Sequence, residues 1–198
     1  MAEPPIAPEC APTKRLFFAL WPDAPLREAI AQAARVAARG AGVSGKRVHD
    51  EKLHLTLAFL GELDAAAEAK AVQAAATVRA PAFDLALDQV GSFFRSKVLW
   101  VGIREAPAPL TGLSQALRAA LEGAGVAFDP KALAPHVTCF RDARPPLRPA
   151  AIEPLPWPVR DFALVHSAAG QYHVVSQWRL QYVPMYRVKT VQEPGGPE

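Results

Sequence analysis

Residues Lys52 to Glu62 read KLHLTLAFLGE, an apolar run broken at alternate positions by His54 and Thr56. In an extended chain successive side chains point to opposite faces, so Leu53, Leu55 and Leu57 fill one face while His54 and Thr56 share the other. Residues Pro135 to Arg141, PHVTCFR, repeat the arrangement. His136, Thr138 and Phe140 share one face, and Val137 and Cys139 turn the other way, towards core. A single histidine in a strand needs no more explanation than a hydrogen-bonded, half-buried side chain. Two copies are different: five histidines and six threonines in 198 residues predict only about 0.15 accidental His-x-Thr patterns. The pair points to one site built twice.

The flanking segments supply the rest of a fold. Arg15 to Trp21, RLFFALW, is a short apolar and aromatic run stopped by Pro22, the pattern of a buried strand. Asp23 can cap a helix over Ala24 to Arg39, where Leu26, Ile30 and small alanines recur at helical spacing before Gly40 and Gly42. Ser44 to Asp50, polar and basic, reads as the loop leading into the Leu53 to Leu60 strand, with His49 as a solvated loop residue. Asp64 can cap a second helix running to about Arg79, ended by Pro81. Phe83, Leu85 and Leu87 alternate with polar or small residues as in a half-wet strand, FRSK at 94 to 97 reads as a turn, and Val98 to Ile103 forms a further strand. Leu110, Leu113, Leu117 and Leu121 mark a third helix, closed by Gly123 and Gly125. The His136 strand follows, then a Pro-rich turn from Pro145 to Pro158, and two strands, Val159 to Ser167 and Tyr172 to Val183, with Gly170 at their hairpin.

That order, in which a strand and a helix precede each His-strand, resembles an incomplete internal duplication. Adjacent hairpins make the sheets mainly antiparallel, and the expected class is α+β. The Pro-rich residues 1–13 are expected to be a disordered leader, 14–186 a single domain, and 187–198 a flexible tail.

Composition narrows the function classes. The apolar share of 51% is that of an ordinary globular chain. A formal charge of +3, from 22 basic against 19 acidic residues, permits a polyanionic partner without requiring one. Cys10 and Cys139 stand in unlike surroundings and form neither a disulfide framework nor a metal cluster, which favours a reducing, cytoplasmic setting. The N-terminus lacks a signal-peptide pattern, and no run approaches the roughly 18 apolar residues of a membrane span. No membrane association is expected.

Two histidines facing one cleft can divide the roles of general base and general acid, because an ordinary pKa of about 6.5 lets one be neutral while the other is charged. That division suits phosphoryl transfer. In an in-line displacement the attacking and leaving oxygens lie on opposite sides of phosphorus, so base and acid must approach from opposite sides. Thr56 and Thr138 could donate hydrogen bonds to the non-bridging oxygens. Metal ligation by His54 and His136 is the competing use, but no third ligand stands at a suitable spacing near either motif.

On these motifs, HLTLAFLG and HVTC, the chain resembles the 2H phosphoesterase superfamily, and most closely its RNA 2′,3′-cyclic phosphodiesterases, once called 2′-5′ RNA ligases. RLFFAL, RSKVLWVGI and YHVVSQW support the resemblance in order and spacing, from about Lys14 to Val183. It implies two pseudo-symmetric lobes, each an antiparallel sheet flanked by helices, with a central cleft. It implies hydrolysis of a terminal 2′,3′-cyclic phosphate of RNA to a 2′-phosphate, with no cofactor and no metal, by a chain read as a monomer. His54 would be the proton donor, His136 the proton acceptor, Thr56 and Thr138 phosphate ligands, and Arg141 a substrate contact. Alternatives within the resemblance are a 2′-5′ ligase or phosphodiesterase and a small cyclic-nucleotide phosphodiesterase; outside it stands a non-catalytic module binding RNA ends. Phe17, Phe18 and Phe140 are read as core. His166 and His173, which lack the motif, are read as structural or surface residues in a hairpin poor in cations.

Overall fold

The computed structural model describes residues 12–181. Cys10, most of the expected leader and all of the expected tail lie outside that range.

The chain opens with strand β1 (Lys14–Leu20) and helix α1 (Ala24–Gly40), followed by a short strand β2 (Ser44–Arg47) and a 3₁₀ turn at Asp50–Lys52. Strand β3 (Leu55–Leu63), helix α2 (Ala65–Thr77), strands β4 (Phe83–Phe93) and β5 (Val98–Gly102), and helix α3 (Ala108–Gly123) come next. Strands β6 (His136–Arg144), β7 (Ala150–Val159), β8 (Asp161–Ala168) and β9 (Gln171–Arg179) complete it. The helix starts are those the sequence marks: the carboxylates of Asp23 and Asp64 accept from the amides of Leu26 and Ala67 at 2.9 and 2.8 Å. The β8–β9 hairpin turns at Ala169 and Gly170, both with positive φ, the handedness that matches strand twist in a two-residue loop.

All named strands join one antiparallel sheet in the order β7-β4-β5-β6-β3-β1-β8-β9, with β2 alongside β6. It divides into two four-stranded halves, each with its His-strand at the inner edge, and the halves meet at a single residue pair, Leu55 with Val137. The matching units are β1-α1-β3 and β5-α3-β6. The lobes are not consecutive halves of the chain, because β4 crosses into the second lobe and β8 returns to the first. The helices are exchanged as well: α1 packs on β4, β5, β6 and β7, while α2 and α3 pack together and against β3. One continuous core results, uniting Leu16, Phe18, Leu55, Leu99, Leu117 and Val137 beneath the helices. The opposite face carries a smaller cluster of Phe17, Ala19, Ala163 and Val165, and this face holds the site.

Several expectations need correction. Ser44 to Arg47 is a strand, not a loop: it pairs with β6, Lys46 opposite Arg141, yet every residue is exposed, so no apolar alternation announces it. The Pro-rich 145 to 158 segment is largely strand β7, at the edge of the sheet against β4. Pro154, Pro156 and Pro158 share one parity and are exposed, and an edge strand has no partner for every second N–H, so the missing donors cost nothing there. Strand β4 runs on to Phe93, and α2 stops at Thr77, where Val78 turns extended, before Pro81 is reached. His54 lies one residue before β3 rather than within it, although Leu53 is already extended and the alternation of faces holds. No described helix is long and apolar enough to cross a membrane.

Candidate active site

Where β3 and β6 diverge beyond their single pair, the sheet opens into a cleft of about 400 Å³. Its walls carry His54 and Thr56 from one lobe, Thr138 and Arg141 from the other, and Arg15, Lys52 and Tyr172. Leu53, Leu55 and Leu57 are buried on the reverse face, as are Val137 and Cys139, so each His-x-Thr element is clamped by its own core side chains. His136 is not a wall residue of the cleft, but its charge reaches His54 and lowers that residue's pKa.

The two imidazoles are held in the same way. His54 Nδ1 lies 2.7 Å from the carbonyl oxygen of Lys52, and His136 Nδ1 lies 2.6 Å from that of Ala134. A carbonyl can only accept, so Nδ1 carries the hydrogen in both rings and the neutral tautomer leaves an Nε2 lone pair. The acceptor sits two residues before the histidine each time, and this repeats the duplication at the level of single atoms. For His54 the acceptor belongs to the 3₁₀ turn, whose closing bond runs from the Leu53 amide to the Asp50 carbonyl. For His136 it belongs to the loop entering β6. Gly102 faces His136 across the β5–β6 ladder, where a Cβ would meet the Pro135 carbonyl oxygen at 2.7 Å. Glycine at 102 lets that loop lie close to β5.

Aromatic rings complete the surroundings. Trp21 stacks on His54 with centroids 5.3 Å apart and planes inclined by 7°, and Phe17 and Tyr172 approach at 4.8 and 5.3 Å. His136 and Phe93 stand perpendicular, with ring centroids 4.8 Å apart. These rings exclude water, and burial drives the His54 pKa down to about 4, against the hydrogen bond to Lys52, with the charges of His136 and Arg141 adding to the fall. Burial also lowers His136, opposed by the bond to Ala134. Cys139 is pushed up to about 12 by burial and is an inert core thiol, not a nucleophile.

The structure therefore brings His54, Thr56, Thr138 and Arg141 to one cleft, with His136 within electrostatic range. It also adds residues that local pattern did not reveal. Arg15, at the start of β1, lies over the Phe59 ring at 5.0 Å and lines the cleft, as does Lys52. Trp21 and Tyr172 are distant in sequence and meet only at His54. Phe18 is core, and Phe140 packs partly buried against it, as expected. His49 is an exposed residue preceding the 3₁₀ turn, and His166 pairs across the hairpin with His173, their rings 6.4 Å apart and clear of the cleft lining. Among the described residues no three His, Cys, Asp or Glu side chains cluster as metal ligands.

Residues 21–171 match the family described as the 2′-5′ RNA ligase superfamily. The chain is 38% identical over 130 residues to the RNA 2′,3′-cyclic phosphodiesterase of Escherichia coli (strain K12), covering 66% of this chain and 73% of that protein. A protein of the same name from Archaeoglobus fulgidus is 32% identical over 134 residues, again covering 66% and 73%. Among solved structures, E. coli LigT complexed with 3′-AMP matches with a TM-score of 0.73 at 33% identity, covering 85% of this chain and 99% of that one. The family match embraces both His-x-Thr elements and the strands that hold them, and the chain belongs to the 2′-5′ RNA ligase superfamily.

Proposed function

We propose that the protein hydrolyses the terminal 2′,3′-cyclic phosphate of RNA to a 2′-phosphate, without a metal ion. The observation that carries this reading is the pair of identically tethered histidines, one from each lobe, with His54 lining a cationic cleft and His136 within electrostatic range of it. The relatives named RNA 2′,3′-cyclic phosphodiesterase support the substrate class.

In the proposed reaction a water oxygen attacks phosphorus while its proton passes to Nε2 of His136. The bond from phosphorus to the 3′ oxygen breaks, and that oxygen takes a proton from Nε2 of His54. Thr56, Thr138 and Arg141 hold the non-bridging oxygens, where negative charge grows in the transition state. Solvent then takes the proton from His136, and His54 regains one when the next anionic phosphate binds.

The free protein is prepared for only half of this. Burial keeps both rings neutral near pH 7, so the base is ready while His54 lacks the proton it must give. An anionic phosphate between Arg141 and the histidines reverses that balance, because it offsets the cationic neighbours and favours the imidazolium. His54 is therefore expected to titrate near 4 in the free protein and well above it with a 2′-phosphorylated mononucleotide bound, as followed by histidine ring NMR signals. An unchanged His54 titration in the saturated complex would remove it as the donor.

The reaction itself is tested with an oligonucleotide ending in a 2′,3′-cyclic phosphate, incubated with and without chelator, and by mapping the product phosphate. The expected result is a 2′-phosphate formed at the same rate in both. A 3′-phosphate product reverses the assigned regiochemistry, loss of activity with chelator overturns metal independence, and tight end-binding without turnover favours a binding module.

A further inference from the structure

The hairpin turn joining β4 to β5 carries the features of a nucleic-acid contact outside the cleft. Phe94 at its tip is 77% exposed, the most exposed of the large apolar side chains described. Arg95 and Lys97 stand beside it, and with Arg144, Pro145 and Pro146 these residues line a second hollow of about 320 Å³. No carboxylate lines this hollow. Among the described residues, Arg95, Lys97 and Arg144 form no ion pair. An exposed aromatic ring beside free cations is the combination on which a nucleic-acid base can stack while its backbone phosphates meet the cations.

Two connections tie this hollow to the cleft. Phe93, adjacent to Phe94, packs perpendicular to His136 with ring centroids 4.8 Å apart. Strand β6 carries Thr138 and Arg141 in the cleft and Arg144 in the hollow, and the Ala143 amide donates to the Lys97 carbonyl at 2.8 Å. Arg141 and Arg144 are three residues apart, roughly 10 Å along a strand. The exposed Lys46 and Arg47 of β2 flank β6 on its other side, with Lys46 paired to Asp142. The β8–β9 hairpin, by contrast, contributes only Arg179 within β9.

We propose that the Phe94 turn is a docking track for single-stranded RNA leading away from the cleft, with a base stacked on Phe94 and the backbone on Arg95, Lys97 and Arg144. This rests on the RNA-end reading of the cleft and extends it: the terminal nucleotide is held between the histidines, and nucleotides upstream of it lie along β6 to the turn. The recognition is tolerant of sequence, since any base offers a face to stack.

The test compares a 2′,3′-cyclic mononucleotide with a ten-nucleotide single strand carrying the same end. In the parental protein the longer substrate should have the higher kcat/KM, and Phe94→Ala should lower kcat/KM for the oligonucleotide by about 10-fold while leaving the mononucleotide rate in place. Arg95→Ser with Lys97→Ser should reduce the salt slope of oligonucleotide binding by about 1.4. Arg141→Ala, in the cleft, should lower both substrates together. Equal rates on the two parental substrates, or equal losses on both from Phe94→Ala, would overturn the track. Failure to turn over either substrate refutes the catalytic reading alone, because anisotropy with a 3′-phosphorylated ten-mer still decides the track: parental affinity retained by the Phe94 variant refutes it, and a roughly 10-fold loss supports it.

Discussion

Replacing His136 with alanine is expected to lower turnover of a 2′,3′-cyclic-phosphate oligonucleotide by about 10²- to 10⁴-fold, and replacing His54 to do the same, as for loss of a positioned general base or acid. Both rings lie beside the site on backbone tethers that the substitutions leave behind, so each variant should keep the parental fold and melting behaviour. In the proposed reaction the two proton transfers serve one displacement, and the double variant should lose much less than the product of the single losses. Either single variant working at the parental rate would end the assignment. The pH dependence carries a second signature. kcat/KM reports ionisations of the free enzyme, where His54 is lowered to about 4 and His136 lies below its ordinary value. The productive form needs one proton shared between them, so the profile should be a bell whose limbs belong to the pair, with its maximum on the acid side of about 6.5. Substituting His54, the proton donor, should abolish the alkaline limb and leave a single rise with pH set by His136.

The second large effect is on folding. Leu55 is completely buried, pairs with Leu20 of β1 and is the sole described β3 residue paired with β6. Leu55→Ala should cost about 2–5 kcal/mol, the range for truncating a leucine in a packed core. Urea denaturation should show a lower midpoint with an unchanged slope, since the surface exposed on unfolding is nearly the same. Leu117→Ala on α3, also fully buried, should cost a similar amount. The two differ in where the cavity falls. The Leu55 cavity adjoins the one pair that fixes His54 against His136, so this variant should lose turnover under conditions where it remains folded, and the Leu117 variant should not. Equal kcat for both, measured well below the denaturation midpoint, would show that the junction does not set the spacing of the histidines.

Much of this was legible locally. The alternation around His54 and from His136 to Cys139 assigns faces from a two-residue period, and the structure keeps it even though His54 precedes the strand proper. At Phe140 a register shift against β5 breaks it, turning that ring to the core beside Leu99 instead of the face of His136 and Thr138. Asp23 and Asp64 announce their helices because capping acts within four residues. The elements that pattern reading misplaces are those whose stability does not come from an apolar face: β2 is held by pairing to β6 with all its side chains in solvent, and β7 tolerates alternate prolines because it is an edge. Arg15, Trp21 and Tyr172 gave no local sign of a role, because each acquires one only by meeting residues far away in the chain.

The sequence by itself determined that two imidazole–hydroxyl pairs would be presented from leucine- and valine-backed strands, since that follows from backbone geometry and the burial of alternate side chains. Only the tertiary structure decided that His54, Thr56 and Thr138 line one cleft with His136 within electrostatic range. The crossing of β4 and β8 between lobes, the exchange of α1 and α3, and the Leu55–Val137 pair bring the two His-strands side by side. Their lowered proton affinity likewise depends on water excluded by rings drawn from four separate strands and loops. These are consequences of long-range packing, which no local periodicity encodes.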